Sequence, residues 1–178
     1  LEYRLSLLTD NRRMTHCLKE VAALSDWQPG PRHLGVATHN FGNTQVAMVV
    51  EVSGQDLASL KVDKVWCVID CGIAVNTDSV AAQIESGIID GLSAALHGQI
   101  SIADNAVIQS NFHNYPLLRI NEAPDIDVQI VPSTAYPSGV GEASLPGVAP
   151  ALTGALHHMT GQWIRTLPIA LLLSSQVA

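Results

Sequence analysis

Between Val46 and Val52 apolar side chains occupy both alternating faces of the chain. Val46, Met48, Val50 and Val52 form one set, Ala47 and Val49 the other, and only Glu51 interrupts them. A strand apolar on both faces is buried between two layers. The strand pattern covers residues 35 to about 53, breaks at Ser53-Gly54-Gln55-Asp56, and resumes from Lys61 to Asp70, where Val65, Cys67 and Ile69 oppose Trp66 and Val68. So short a connection predicts an antiparallel pair. Upstream, Met14 to Leu24 reads as a short helix with Leu18, Val21 and Ala22 on one face, ended by Asp26-Trp27 and Pro29-Gly30-Pro31.

After Asp70 the pattern changes from alternation to helical spacing. Asn76, Thr77 or Asp78 caps a helix running to about His97, whose core stripe is Val80, Ile84, Ile88, Leu92 and Leu96. A neighbouring stripe, Gln83, Gly87, Gly91 and Ala95, has almost no bulk. Each interior glycine costs roughly 1 kcal/mol relative to alanine, so that face is expected to accept another backbone or a flat ligand at close range. A strand is predicted near Ala106 to Ser110, a polar and aromatic loop at Asn111 to Pro116, and a strand at Ile126 to Val131 whose Asp125, Asp127 and Gln129 give it a wet face. A last helix is predicted over about Ala149 to Thr160, with Pro150 near its first turn and Gly161 just past its end. The order of elements predicts an α+β lobe, a mixed and mainly antiparallel sheet with packed helices. Residues 1–34 are expected to form an N-terminal helix and linker, and 35–178 the lobe itself.

Composition narrows the function classes. With 47% hydrophobic and only 14% charged residues, the 178-residue chain can bury a sizeable core. Its net charge of -7 and lack of any basic run argue against nucleic acid or an anionic membrane surface. No apolar run approaches the ~20 residues of a membrane span. A small molecule or another protein is the expected partner. Cys17, Cys67 and Cys71 lack C-x-x-C spacing and read as small buried hydrophobes, and no histidine spacing suggests a protein-ligated metal. Leu1-Glu2-Tyr3-Arg4 has neither an initiator Met nor a signal-peptide layout, so a piece of a longer chain is expected. The compartment, cytoplasmic or periplasmic, stays open.

The candidate chemistry lies in Ser138-Gly139-Val140-Gly141-Glu142-Ala143-Ser144, which sets a lone carboxylate between two glycines and an apolar helix. Glu142 there is either a capping residue, stabilising the helix by a few tenths to about 1 kcal/mol, or a functional carboxylate. Gln83 would point an amide donor and acceptor at whatever packs on the glycine stripe, or is simply polar beside a tight helix contact.

Several ordered stretches carry a resemblance. They are Val68-Ile69-Asp70-Cys71-Gly72 with Val75-Asn76, Gln83 through Ile88, Gln109 through Tyr115, Gly139-Val140-Gly141-Glu142, and Gly161-Gln162-Trp163-Ile164-Arg165-Thr166-Leu167-Pro168. Together they resemble the C-terminal part of the molybdopterin-binding large subunit of molybdenum hydroxylases, the xanthine dehydrogenase and aldehyde oxidoreductase family, and within it the branch formed by the beta subunits of isoquinoline 1-oxidoreductase. The resemblance implies one lobe of a larger molybdopterin-binding subunit. It implies hydroxylation of an electron-poor carbon of an N-heterocycle or aldehyde with water-derived oxygen, hydride passing to Mo=S and electrons to [2Fe-2S] clusters on a small partner subunit. Glu142 is then the general base that takes a proton from Mo-OH, a role suited to an enclosed apolar site that raises carboxylate basicity. By the same resemblance Gln83 hydrogen-bonds the pterin, Gly139, Val140 and Gly141 let backbone and cofactor approach, and Phe41 stacks on a flat substrate, unless it is core.

The departures matter equally. The family's Gly-Gly-Phe-Gly type segment, its arginine-containing pocket loop, its other cofactor-binding glutamine motifs and its cluster-binding cysteines are absent from these residues. The resemblance therefore implies that this chain holds part of the molybdopterin site, compatible with the cytosine dinucleotide form, and is inactive without the remainder of the large subunit and the iron-sulfur subunit. A higher oligomer is compatible with it. The alternative is a non-catalytic binding or interaction module that keeps the fold without the cofactor.

Overall fold

In the computed structural model, which describes residues 1–174, the doubly apolar stretch lies inside a four-stranded sheet with helices on both faces. In chain order the elements are helices α1 (Glu2–Leu7) and α2 (Arg12–Leu24), strands β1 (His33–Phe41) and β2 (Thr44–Ser53), a 3-10 turn at Leu57–Ser59, and β3 (Lys61–Asp70). Helix α3 (Thr77–Leu96), the short strands β4 (Ile102–Ala103) and β5 (Ala106–Val107), β6 (Asp125–Ile130), α4 (Leu145–Thr160) and α5 (Ala170–Ser174) follow. The sheet order is β1-β2-β3-β6, antiparallel except that β6 runs parallel to β3. A parallel neighbour requires a crossover, and α3 supplies it. The α+β class and the mainly antiparallel sheet follow the expectation from the sequence.

The two apolar sets of β2 meet different layers. Val46, Met48 and Val50 pack with Ile84, Ile88 and Leu92 of α3 and with Leu152 and Leu156 of α4. Ala47 and Val49 face Cys17, Leu18 and Val21 of α2, beside Trp66 and Val68. Asn76 caps α3, accepting the Ser79 N–H at 2.9 Å, and the helix ends at His97 as its spacing predicted. The wet face of β6 finds partners instead of water alone. Lys64 pairs with Asp125 at 2.8 Å, and Gln129 donates to Glu20 at 3.1 Å.

The strands expected between residues 35 and 53 form a hairpin that turns at Gly42, where φ is +58. Two other expected elements differ in extent. The strand expected from Ala106 to Ser110 shrinks to β5, because Val107 and Ile108 stay half exposed with no layer to cover them. Helix α4 starts a turn early, with Pro146 near its start and Pro150 inside it. Pro150 is on the exposed side and forfeits only the bond to one turn back, which the helix tolerates there.

The bare stripe of α3 receives the start of α4. A Cβ at Gly87 would overlap Ser144 Oγ, and one at Gly91 would come within 2.7 Å of Val148 Cγ2. Another element, and not a flat ligand, therefore fills the space beside those two glycines. Ser144 in turn spends its hydroxyl on the Ile84 carbonyl at 2.9 Å. On β1, Gly35 lies against Ala151 O and Ala155 N, so α4 rests directly on strand backbone.

At the end of the sheet where β3 stops, α2 is fastened by an ion pair. Arg13 donates to Asp70 Oδ2 at 2.7 Å and Oδ1 at 2.6 Å, to the Asp70 carbonyl at 3.0 Å, and to Asn43 O and Oδ1 at 2.8 and 3.2 Å. All five guanidinium N–H groups are used. Asp70, only 4% exposed, also accepts the Gly72 N–H at 3.0 Å. Its carboxyl is held below the usual range, chiefly by the Arg13 hydrogen bonds, with burial opposing.

Two outcomes follow from this packing. Gly35→Ala should destabilise the chain by about 1–3 kcal/mol or more in urea unfolding, because its methyl enters α4 backbone. Gly154→Ala, whose methyl would meet Gly35 Cα at an ordinary 3.5 Å, should instead be neutral or gain up to about 1 kcal/mol. For Asp70, a depressed folded pKa means its contribution is complete above the unfolded value of about 3.9. It is lost as pH falls through the lower folded value. Asp70→Asn should therefore cost about 1–3 kcal/mol at pH 7, and unfolding measured down the acid range should show that gap closing below about pH 4.

Candidate functional site

Residues 131–144 form neither helix nor strand, and their prolines and two glycines account for this. They leave β6, cross the end of the sheet and enter α4. The backbone of this loop is held at intervals by the elements beneath it. Val131 N–H donates to Ile69 O at 2.8 Å, Ile73 N–H to Ala135 O at 3.0 Å, and Ser138 N–H to Cys71 O at 2.9 Å. The tip of the β1–β2 hairpin holds the next residues, with Asn43 N–H donating to Ser138 Oγ at 3.3 Å and Thr44 Oγ1 to Gly139 O at 2.8 Å. Ala143 N–H closes a turn on Val140 O at 3.4 Å.

That arrangement brings together residues far apart in sequence. A Cβ built at Gly139 would lie 3.5 Å from Phe41 Cε1, and one built at Gly141 would lie 3.6 Å from Gln83 Oε1. Phe41 ends β1, Gln83 lies in the second turn of α3, and both therefore border the Gly139-Val140-Gly141 backbone. Phe41 is partly buried and packs on the core, as does Val140. Gln83 and Glu142 are exposed. Among the described residues neither side chain has a hydrogen-bond or ion-pair partner. Glu142 does not cap α4, because the N-cap position belongs to Ser144 and the helix begins at Leu145.

The rim is apolar. Ile73, Val75, Tyr136 and Leu145 are exposed on the loops and helix start that surround this end of the sheet. The thiols stay out of the chemistry. Burial pushes Cys17 up to about 12 and raises Cys67 and Cys71 as well, leaving all three free and protonated near neutrality. No group of three or more His, Cys, Asp or Glu among the described residues could hold a metal ion. No helix among them is long and apolar enough to cross a membrane.

The Gln109–Tyr115 stretch folds on itself instead of joining Glu142. The Asn114 side chain accepts from Ser110 and Asn111 N–H and donates to Ile108 O, while Gln109 accepts from Ser101 N–H. Sequence reasoning missed Arg13, Asn43 and Thr44, and it named Ser138 without the contact that Ser138 makes with the hairpin tip. The only available signal was the turn-prone Gly42-Asn43 beside Phe41, which marks a hairpin tip but not what the tip touches.

Known proteins match this chain in sequence and in fold. It is 37% identical over 176 residues to the beta subunit of isoquinoline 1-oxidoreductase from Brevundimonas diminuta, covering 95% of this chain and 22% of that protein. It is 30% identical over 192 residues to a nicotinate dehydrogenase subunit from Pseudomonas putida, covering 95% of this chain and 16% of that one. The chain thus spans about a fifth of these curated relatives or less. The crystal structure of quinoline 2-oxidoreductase from Pseudomonas putida 86 superimposes with a TM-score of 0.63 at 21% identity, over 75% of this chain and 18% of that one. Residues 19–124, which include Phe41 and Gln83 but stop short of Glu142, match the family described as molybdopterin cofactor-binding domain. The fold, the likeness to these oxidoreductase subunits and that match over more than half of the sequence agree, and the chain belongs to the molybdopterin cofactor-binding domain family.

Proposed function

We propose that this chain is the part of a molybdenum hydroxylase large subunit that supplies the general base and one side of the pterin site. The observation that carries the reading is the convergence of Phe41, Gln83 and Gly139-Val140-Gly141 beside an unpaired Glu142 at one end of the sheet. The residues present suit a flat group with polar edges. Gln83 offers an uncommitted carboxamide donor and acceptor, and Gly139 and Gly141 leave open the space that a Cβ would take beside Phe41 and Gln83. In this reading residues 35–178 form the lobe, with 175–178 outside the described residues, and residues 1–34 add α1, α2 and the first two residues of β1.

Bound molybdopterin, in the cytosine dinucleotide form, supplies a two-electron oxidation in which a carbon-bound hydrogen is replaced by hydroxyl from water, releasing two protons and two electrons. Gln83 holds the pterin edge through its carboxamide. Gly139 and Gly141 keep side chains out of the approach, and Val140 anchors the loop in the core. Glu142 accepts one of the released protons at a carboxylate oxygen, and the rest of the large subunit encloses it, which favours general-base work. Phe41 stacks against a planar substrate. The printed names of the relatives, isoquinoline and nicotinate enzymes, support an N-heterocycle, and an aldehyde is the other substrate class in this reading. Electrons leave through [2Fe-2S] clusters on a separate small subunit, with the remainder of the large subunit completing the site. On this reading the chain alone is inactive.

Glu142→Gln tests the base. In the complete enzyme it should lower turnover by about 10²–10⁴ with molybdenum content unchanged, as removal of a general base does. Turnover within about threefold of wild type would reject the role.

A further inference from the structure

We infer that Thr44 and Arg13 are positioning residues for the loop that carries Glu142, acting through the tip of the β1–β2 hairpin. This rests on the reading of Glu142 as the base, but the geometry stands without it. Thr44 is fully buried, an unusual place for a hydroxyl unless it is hydrogen-bonded, and its one outlet is the Gly139 carbonyl at 2.8 Å. That bond fixes the residue three positions before Glu142 and seats Gly139 against Phe41. The neighbouring Asn43 N–H reaches Ser138 Oγ at 3.3 Å, so the tip grips two consecutive loop residues.

What keeps the tip in place is α2. Arg13 takes the Asn43 carbonyl and side-chain oxygens with one guanidinium nitrogen and Asp70 with the other two. Asn11, at the start of the same helix, donates to Gln45 Oε1 at 3.0 Å, and Gln45 donates to Asn40 Oδ1 at 3.0 Å on the opposing strand. Asp70 meanwhile accepts Gly72 N–H, ordering the turn whose Cys71 carbonyl receives Ser138 N–H. Arg13 therefore reaches the loop by two routes, one through Asn43 and one through Asp70, Gly72 and Cys71. Because bidentate geometry with five committed donors requires a guanidinium, lysine cannot replace it. Arg13 lies outside the residues that match the family, so this support belongs to the helix on the far face of the sheet.

The test uses the complete enzyme carrying Thr44→Val, Thr44→Ser or Arg13→Lys, with Glu142→Gln as reference. Amide hydrogen exchange is read on peptides covering residues 136–145, and kcat and KM are read separately. Thr44→Val is close in shape but removes the donor, so exchange there should rise at least about tenfold, in line with loss of a hydrogen bond worth about 1.4 kcal/mol. Exchange in α3 and α4 should stay as in wild type. Thr44→Ser should restore protection, and Arg13→Lys should resemble Thr44→Val. The same two variants should lower kcat with little change in KM. Unchanged exchange at 136–145 in both Thr44→Val and Arg13→Lys would overturn the inference whatever the activity. Raised exchange with kcat unchanged, where Glu142→Gln is inactive, would also overturn it as a positioning role. Raised exchange where Glu142→Gln stays fully active would leave the support of the loop standing and reject the base.

Discussion

Covering a sheet with helices on both faces leaves only its ends open, and everything functional in this chain follows from that constraint. β2 is apolar on both sides, so α2 must lie on one face and α3 and α4 on the other. The parallel run of β3 and β6 brings the exits of both strands to the same end, where Ile69 is level with Ile130 and Gln45 with Asp70. The hairpin tip, the Cys71–Asn76 loop, the start of α3 and the loop into α4 meet there. Loops at the carboxyl ends of neighbouring parallel strands are where sheets with crossover helices present ligands, and here two glycines and an unpaired carboxylate occupy that position.

The glycines of α3 separate packing from chemistry. Their cost in helix propensity, roughly 1 kcal/mol each, is offset by letting α4 dock closely enough for Ser144 to reach Ile84 O and for Leu152 and Leu156 to fill the core. The same docking fixes the entry of α4, and with it the loop just ahead. Gln83 lies one turn before Gly87, beyond the reach of that contact, and so remains free beside Gly141. One stripe thus serves the core along most of its length and the candidate site at its end.

Much of this architecture was legible in the sequence because it is written in periodic patterns. The two apolar faces of β2, the antiparallel β3 and the capped α3 each follow from spacing alone. The start of α4 was misplaced because two prolines compete for the first turn and the pattern does not say which one holds it. The short β5 was overcalled because alternation cannot reveal that no layer covers it. Of the candidate site, Gln83 and Gly139 to Glu142 stand out from the spacing of glycines, Phe41 and the roles of all of them come from the family resemblance, and folding brings them side by side. Arg13, Asn43, Thr44 and the contact made by Ser138 were not legible, since hydrogen bonds between isolated polar side chains and distant backbone leave no periodic trace.

Whether the loop end of this sheet holds molybdopterin is decided by the molybdenum, pterin and iron content of the polypeptide isolated from its native source, with mass spectrometry of whatever accompanies it. Molybdenum and pterin in near-equal amount to the chain, recovered together with an iron-sulfur protein, are the expected result. A metal-free and pterin-free chain recovered without partners would contradict it.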